Sequence, residues 1–349
     1  MLETLRVKNL TVFGLEDFEF SPGLNVIVGE NGTGKTHILK VAYSVLYVSS
    51  RGAKESGSDN PKKAHLEGAI AKKLTGVFKP DRLGRLVSRR SRGRCEIECR
   101  FVPAKHQLAF SFHTASESDV KIERPPSAWI DKLPVYLPTR ELLTIYPGFV
   151  SLYETSHLSF EETWRDTCIL LGAPLVRGPR EQRIKQLLVP LEGALQGKVE
   201  LSDAGGFYLN VDGVPLEMHL VAEGLRKLAT IARLIATGSL IDKGYLFWDE
   251  PESNLNPRII KLVARTILHL CQNGIQVFVA SHSLFLLREL DILLKTEEFQ
   301  GTPSRFFGLL KAEGGVSVQQ GDTVDDIGDI SSLQEELSQS DRYLKSEAE

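Results

Sequence analysis

The sequence of 349 residues predicts an α/β fold of the P-loop NTPase class. Three observations carry this: one apolar strand breaks into a glycine-rich phosphate loop, a second closes on two acids, and a third closes on Ser-His. In the first, Val26, Ile27 and Val28 are β-branched and apolar, as suits a buried strand. The run Gly29-Glu30-Asn31-Gly32-Thr33-Gly34-Lys35-Thr36 then matches G-x-x-x-x-G-K-[ST] in full, and His37 leads on into a helical stretch. In such a loop successive N–H groups point inward and the helix N-terminus adds its positive end, so a polyphosphate can be held there. Lys35 is placed to reach the β/γ-phosphates and the Thr36 hydroxyl to ligate Mg²⁺. A chance match is expected in roughly one chain in a hundred of this size. Residues Gly29 to His37 are therefore assigned to the nucleotide.

The second strand, Tyr245 to Trp248 in "YLFWDEPESNLNP", delivers Asp249 and Glu250 at its carboxyl end, where ligands of open α/β sheets bind. Asp249 can hold Mg²⁺ directly or through water, and Glu250 can polarise the water that attacks the γ-phosphate. One acid there is an ordinary strand cap; two, behind a fully apolar strand in a chain with a phosphate loop, are seldom structural. The third strand, "IQVFVA", ends at Ser281-His282. Lone histidines are more often structural than catalytic, but this position lets His282 contact the γ-phosphate and sense its presence.

Composition bounds the remainder. The formal net charge is −3, so nucleic-acid affinity has to come from a local patch. Cys95 and Cys99 alternate with charged residues in "RCEIECRF" and read as strand-core thiols, with no second pair at zinc spacing. Free thiols fit a reducing compartment, and there is neither a leader pattern nor an apolar run of spanning length, so a cytoplasmic protein without a membrane partner is expected.

Along the chain, residues 1–47 and 215–320 read as one nucleotide-binding lobe. Residues 48–135 read as a surface loop over Ser49 to His65, followed by an antiparallel meander in "CEIECRFV", "QLAFSFHT" and "DVKIE". Residues 150–214 read as a helical arm plus a hairpin turning at Asp212-Gly213, and residues 321–349 as an acidic tail expected to fold poorly alone. A helix is expected from about Glu223 to Ala236. No repeat or sustained heptad stretch is present.

The phosphate loop, "WDEPESNLNP" and "VASHS" together resemble an ATP-binding-cassette (ABC) ATPase head, and the opening "LETLRVKNL…GLNVIVGENGTGKT" is similar to the RecF, SMC and OLD branch. The resemblance covers residues 1–47 and 215–310, and implies an ABC-ATPase head with an antiparallel β-subdomain and an inserted helical arm. It implies ATP hydrolysis with Mg²⁺, with Glu250, His282 and Lys35 as catalytic residues and Thr36 and Asp249 at the metal. It also implies a homodimer that sandwiches ATP, in which a signature segment of one subunit caps the γ-phosphate held by the other. Here that segment is "LVAEGLRKLATIARLI": Gly224 falls on the second signature glycine, while Ala222 replaces the usual serine and Glu223 adds a negative charge. Arg226 and Lys227 either compensate or form a solvated face. Ser253 and Asn254 occupy the D-loop, and Pro138-Thr139-Arg140-Glu141 stands where a Gln is usual, with Arg140 a candidate substitute.

The stretch between Gly29 and Gly224 is longer than a transporter subunit uses, and after His282 there is no D-x-D strand signal of an OLD-type nuclease module. The resemblance thus implies a bare ATPase head that serves as the sensing half of a two-component system, beside a separate nuclease or toxin effector, in anti-phage defence or DNA repair. A slow ATP-dependent scaffold that stores a protein effector, or a transporter energiser, are the alternatives. From Lys72 to Arg94 nine basic residues (Lys72, Lys73, Lys79, Arg82, Arg85, Arg89, Arg90, Arg92 and Arg94) face only Asp81. They form a candidate DNA surface or a protein-docking face.

Overall fold

The computed structural model describes residues 1–90, 93–156, 158–241, 244–329 and 331–348. Its first strands are β1 (Leu2–Leu10), β2 (Phe13–Glu19) and β3 (Leu24–Gly29), followed by α1 (Lys35–Ser56) and α2 (Lys63–Phe78). The meander follows as β4 (Cys95–Phe101), β5 (Leu108–Phe112) and β6 (Lys121–Arg124), then β7 (Val135–Leu137) and the arm helices α3 (Tyr146–Thr155), α4 (Glu162–Leu171) and α5 (Glu181–Leu195). Strands β8 (Lys198–Leu201), β9 (Phe207–Val211) and β10 (Val214–Glu217) form a small antiparallel sheet. The chain then runs through α6 (Glu223–Ala236), β11 (Gly244–Asp249), α7 (Pro257–Gln272), β12 (Ile275–Ser281) and α8 (Leu284–Leu294). It closes with β13 (Ser304–Ala312), β14 (Gly315–Gly321) and α9 (Ser331–Ala348).

One 11-stranded sheet organises the molecule, in the order β6-β5-β4-β1-β2-β14-β13-β3-β12-β11-β7. Strands β7, β11, β12, β3 and β13 run parallel, and the meander continues the same sheet through antiparallel pairing of β4 with β1. Side chains alternate between two cores. Val26 and Val28 face the layer of α4 to α8, and Ile27 faces that of α1 and α2. The central strands are apolar on both faces, as buried parallel strands must be.

A buried amide sets the level of these strands. Gln276, fully buried on β12, accepts from Leu2 N–H at 3.0 Å and donates to Leu2 C=O at 2.7 Å and Ser21 C=O at 2.9 Å. Asn25 on β3 likewise bonds Ser21 and, at 3.3 Å, Val277 C=O. These two side chains join the antiparallel wing to the parallel centre.

Two expectations fail here. Ser49 to His65 is not a surface loop: α1 continues to Ser56 and α2 begins at Lys63. The polar letters are used for packing, since a Cβ at Gly52 would lie 2.3 Å from the Trp129 ring and Ser49 Oγ accepts from Ile130 N–H at 2.9 Å. The acidic tail begins with a docked turn and continues as a helix whose described side chains are all exposed. A turn of 3₁₀ helix at Val324–Ile327 is closed by a capping box between Thr323 and Asp326, Ile327 is buried, and α9 follows with Arg342 bonded to Glu335 of the same helix. Second, Lys73 does not join a basic surface. It is 3% exposed and is bonded to Glu162 at 2.9 Å and to Asp166, with its ammonium 3.2 Å from the centroid of the Tyr47 ring. Buried lysine demands such partners.

Replacing Gln276 by Leu takes the side-chain partner from two buried backbone groups, Leu2 N–H and C=O, and is expected to cost about 3 kcal/mol in a urea melt. A loss below about 1 kcal/mol would show that the wing is held by its strand pairing alone.

Candidate functional site

The parallel register brings three strand ends level. Asp249 of β11 stands beside Ala280 of β12, and Ser281 beside Val28 of β3, so the phosphate loop, the acids and Ser281-His282 meet at one edge. The loop turns on Gly32 and Gly34, whose φ values are 82° and 91°. At Gly34, the residue before α1, a Cβ would also come within 2.7 Å of the Phe13 ring, so glycine is required twice over. Thr33 Oγ1 donates to Glu30 C=O at 2.8 Å, and Lys311 reaches the Glu30 carboxylate at 2.5 Å. Asn31 is exposed at the loop's crown.

Lys35 Nζ lies inside the loop, donating to Gly29 C=O at 2.7 Å and Glu30 C=O at 3.1 Å. Burial pulls its pKa below the ordinary lysine value, opposed by the charges of Glu250, Asp249 and Glu252. Thr36 Oγ1 lies 2.9 and 3.1 Å from the two oxygens of Asp249. Asp249 is 8% exposed, and burial raises its pKa to about 6 despite the Thr36 bond. A hydroxyl and a carboxylate in contact, charge-poor and buried, suit a hard divalent cation. His37 stands apart: its Nδ1 is 2.8 Å from Thr11 Oγ1, its N–H donates to Gly34 C=O at 3.0 Å, and its ring packs on Phe78. Its Nδ1 is thus engaged by Thr11 and its ring by Phe78.

Glu250 adopts a left-handed backbone, φ 48°, and donates its N–H to Ala280 C=O at 2.8 Å. This unusual conformation for a non-glycine residue turns its side chain towards His282, whose Nδ1 lies 3.2 Å from Glu250 Oε1. The turn that follows is tied tightly: Ser253 Oγ donates to Glu250 C=O at 2.7 Å, and Asn254 Nδ2 to Glu223 Oε1 at 2.9 Å. Gly224 lies against this turn, where a Cβ would meet Asn254 C=O and Leu255 at 3.1 Å.

Arg226 and Lys227 are not a solvated face. Lys227, 4% exposed, donates to Ser253 C=O at 2.7 Å and Glu250 C=O at 3.4 Å. Arg226 pairs with Glu141 at 3.3 Å. Glu141 in turn accepts from Leu143 N–H at 2.9 Å and Thr144 Oγ1 at 2.7 Å, while its neighbour Arg140 is exposed. Sequence reasoning missed Glu141, and also Glu252, whose Oε1 accepts from Ser281 Oγ at 2.6 Å. The signal for both was present: an acid directly beside a segment already singled out.

Of the basic segment, Lys72, Lys79, Arg82, Arg85, Arg89, Arg90 and Arg94 are exposed, and Arg92 lies outside the described residues. Arg85, Arg89 and Arg90 line a hollow of about 490 Å³ together with Gly32 and Lys311, so part of the basic surface adjoins the phosphate loop. Cys95, Cys99, Cys168 and Cys271 are all buried free thiols. Among the described residues no helix is long and apolar enough to cross a membrane.

A glycine-rich loop, an acid pair and a histidine at the carboxyl edge of a parallel sheet, with an antiparallel wing beside them, define a class: the ABC-type ATPase head, with the fold seen in SMC heads. The chain belongs to the family described as "AAA domain, putative AbiEii toxin, Type IV TA system", whose model matches residues 106–288. A second model, described as "AAA domain", matches residues 4–101. A stretch of 42 residues is 45% identical to the DNA replication and repair protein RecF of Streptococcus uberis, and spans 12% of either chain. Among solved structures, the SMC head bound to the C-winged helix domain of ScpA superposes with a TM-score of 0.57 at 13% identity, covering 93% of this chain and 98% of that one. The SMC head domain from Thermotoga maritima gives 0.50 at 15% identity, covering 91% and 97%. At such identities the likeness establishes the fold.

Because the raised pKa of Asp249 marks a carboxylate that is costly to keep ionised, its effect on stability has a definite sign. The folded state gains relative stability as pH falls through about 6 towards the unfolded value of 3.8, and forgoes it above 6. Asp249→Asn is therefore expected to stabilise the nucleotide-free protein at pH 8 by about 1–3 kcal/mol and by roughly half as much at pH 5, the gain vanishing only below about pH 4. A variant that melts lower at pH 8 would overturn this.

Proposed function

We propose that the chain is an ATP-gated sensor head, in which two copies sandwich ATP and pass the closed state to a separate nuclease or toxin effector. The observation that carries the reading is the convergence of Thr36 with Asp249 and of Glu250 with His282 at one sheet edge. In this reading the amides of Gly29, Glu30, Asn31, Gly32, Thr33 and Gly34 cradle the phosphates and Lys35 binds the β/γ-oxygens. Thr36 and Asp249 hold Mg²⁺, which would neutralise charge on those oxygens when bound. Glu250 orients and polarises the attacking water, and His282 registers the γ-phosphate. Gly224, Ser253 and Asn254 belong to the face that a second copy presents to that phosphate. The helix beginning at Glu223 brings its positive end there without a serine at Ala222, and the Glu223 carboxylate is held by Asn254.

The family's description names a putative toxin of a type IV TA system, which is compatible with a two-component setting, and the ScpA-bound SMC head is a precedent for a head that engages a second protein. The seven exposed cations between Lys72 and Arg94 favour DNA as the signal, because those beside the phosphate loop place a polyanion next to the nucleotide. Slow scaffolding of an effector is the competing reading.

ATP hydrolysis by the purified chain, with and without duplex DNA at two salt concentrations, tests this. Glu250→Gln is expected to lower kcat by about 10²–10⁴-fold while ATP binding persists. DNA is expected to raise the Glu250-dependent rate at low salt, and the joint substitution Arg85→Glu, Arg89→Glu, Arg90→Glu to remove the rise. A rate indifferent to DNA at both salts sinks the DNA signal and favours the scaffold.

Mg²⁺-dependent nucleotide affinity should hold steady above about pH 6 and fall below it, by at most tenfold per unit, as Asp249 takes up a proton. Titration of a fluorescent ATP analogue between pH 5 and 8 reads this directly, and an unchanged affinity at pH 5 removes Asp249 from the metal.

A further inference from the structure

We infer that Glu252, the third acid of "DEPES", is a positioning residue for ATP hydrolysis that acts through His282. Its carboxyl group is 6% exposed. Oε1 accepts the Ser281 hydroxyl at 2.6 Å and the His282 amide N–H at 3.3 Å, and lies 3.8 Å from His282 Nδ1. Oε2 is buried without a hydrogen-bond partner among the described residues. A buried carboxylate with one oxygen unmatched is a costly choice for mere packing, and its two bonds go to the residues that end β12. Ser281 Oγ in turn accepts from Ser283 N–H at 3.0 Å, so the turn carrying His282 is fastened to Glu252 on one side and to the start of α8 on the other.

The opposite end of the linkage is the signature helix. Glu252 shares its short turn with Glu250 and Ser253, whose carbonyls are both held by Lys227 of α6. Lys227 is buried in a way that lowers its pKa, and Glu252 is the foremost charge opposing that fall. The base-bearing turn, the histidine turn and the segment offered to a second copy are therefore one braced unit. Glu252 sets the approach of His282 to the position of the γ-phosphate, and so acts on the chemical step rather than on nucleotide capture. The inference rests on the assignment of His282 to the γ-phosphate.

Steady-state ATP hydrolysis by full-length Glu252→Ala, Glu252→Gln, His282→Ala and the Glu252→Ala/His282→Ala pair, with fluorescent-ATP affinity and a thermal melt for each, tests it. Glu252→Ala is expected to lower kcat by about 10–100-fold with KM and nucleotide affinity within about twofold of the parent. Glu252→Gln keeps an acceptor for Ser281 and is expected to retain more activity. The double variant is expected to be no slower than His282→Ala, because the two changes interrupt one path. Full multiplication of the two losses overturns the inference and leaves the role of His282 standing, as does a loss confined to KM. If His282→Ala turns over normally while Glu250→Gln is inactive, the assignment of His282 fails and the inference with it. Should Glu252→Ala melt early, the better-matched Glu252→Gln decides: unchanged kcat with a normal melt also overturns it.

Discussion

Everything at the candidate site depends on the level of four parallel strands. Strands β3, β12 and β11 are paired in unbroken register, and β7 extends them, so that Val28, Ser281, Asp249 and Leu137 end along one line. A slip of one residue would turn each end residue to the other face of the sheet. Strands apolar on both faces do not oppose that slip by polarity alone, and it is the buried amides of Gln276 and Asn25 that forbid it by hydrogen bonding. The contact between Thr36 and Asp249, residues far apart in the chain, is a consequence of this register.

A second constraint lies behind the phosphate loop. Lys40 of α1 reaches Glu161 at 2.5 Å, and Lys73 of α2 is enclosed by Glu162, Asp166 and the Tyr47 ring, with Tyr43 donating to Asp166 at 2.7 Å. The helix that begins at the loop is thereby joined to the start of α4 in the arm. Charges so buried add little net stability, but breaking one partner strands another. The arrangement ties the loop helix to the arm. On the far side, the bond of Arg226 to Glu141 performs the same service between the signature helix and the segment after β7. Nucleotide chemistry at the sheet edge is therefore mechanically connected to two outlying parts of the molecule.

The charged surface divides along the same physical line. Lysines and arginines that look equivalent in the sequence separate by burial. Lys73 and Lys227 neutralise acids and carbonyls in the interior, whereas Arg85, Arg89 and Arg90 stand in the open beside Gly32. The first group cannot serve a polyanion without dismantling the fold. The second is available, and its place next to the phosphate loop is what ties a DNA signal to the ATPase in the proposed function.

The sequence by itself determined the parts whose chemistry is local. A loop of glycines before Lys35 and Thr36, two acids ending an apolar strand and the helix from Glu223 to Ala236 each follow from the residues at hand, because backbone conformation and strand burial are written in short spans. Even the Asp212-Gly213 turn was legible, with φ values of 51° and 86° that those residue types tolerate. What only the tertiary structure decided was set by partners distant in the chain. Gly52 lies in a helix against the Trp129 ring and Ser49 against the Ile130 N–H, His37 turned to Thr11, Lys227 was drawn inside by the carbonyls of Glu250 and Ser253, and Glu252 found Ser281. Burial of a polar group is governed by whether a complementary group lies within about 3 Å, and no short stretch of sequence contains that information.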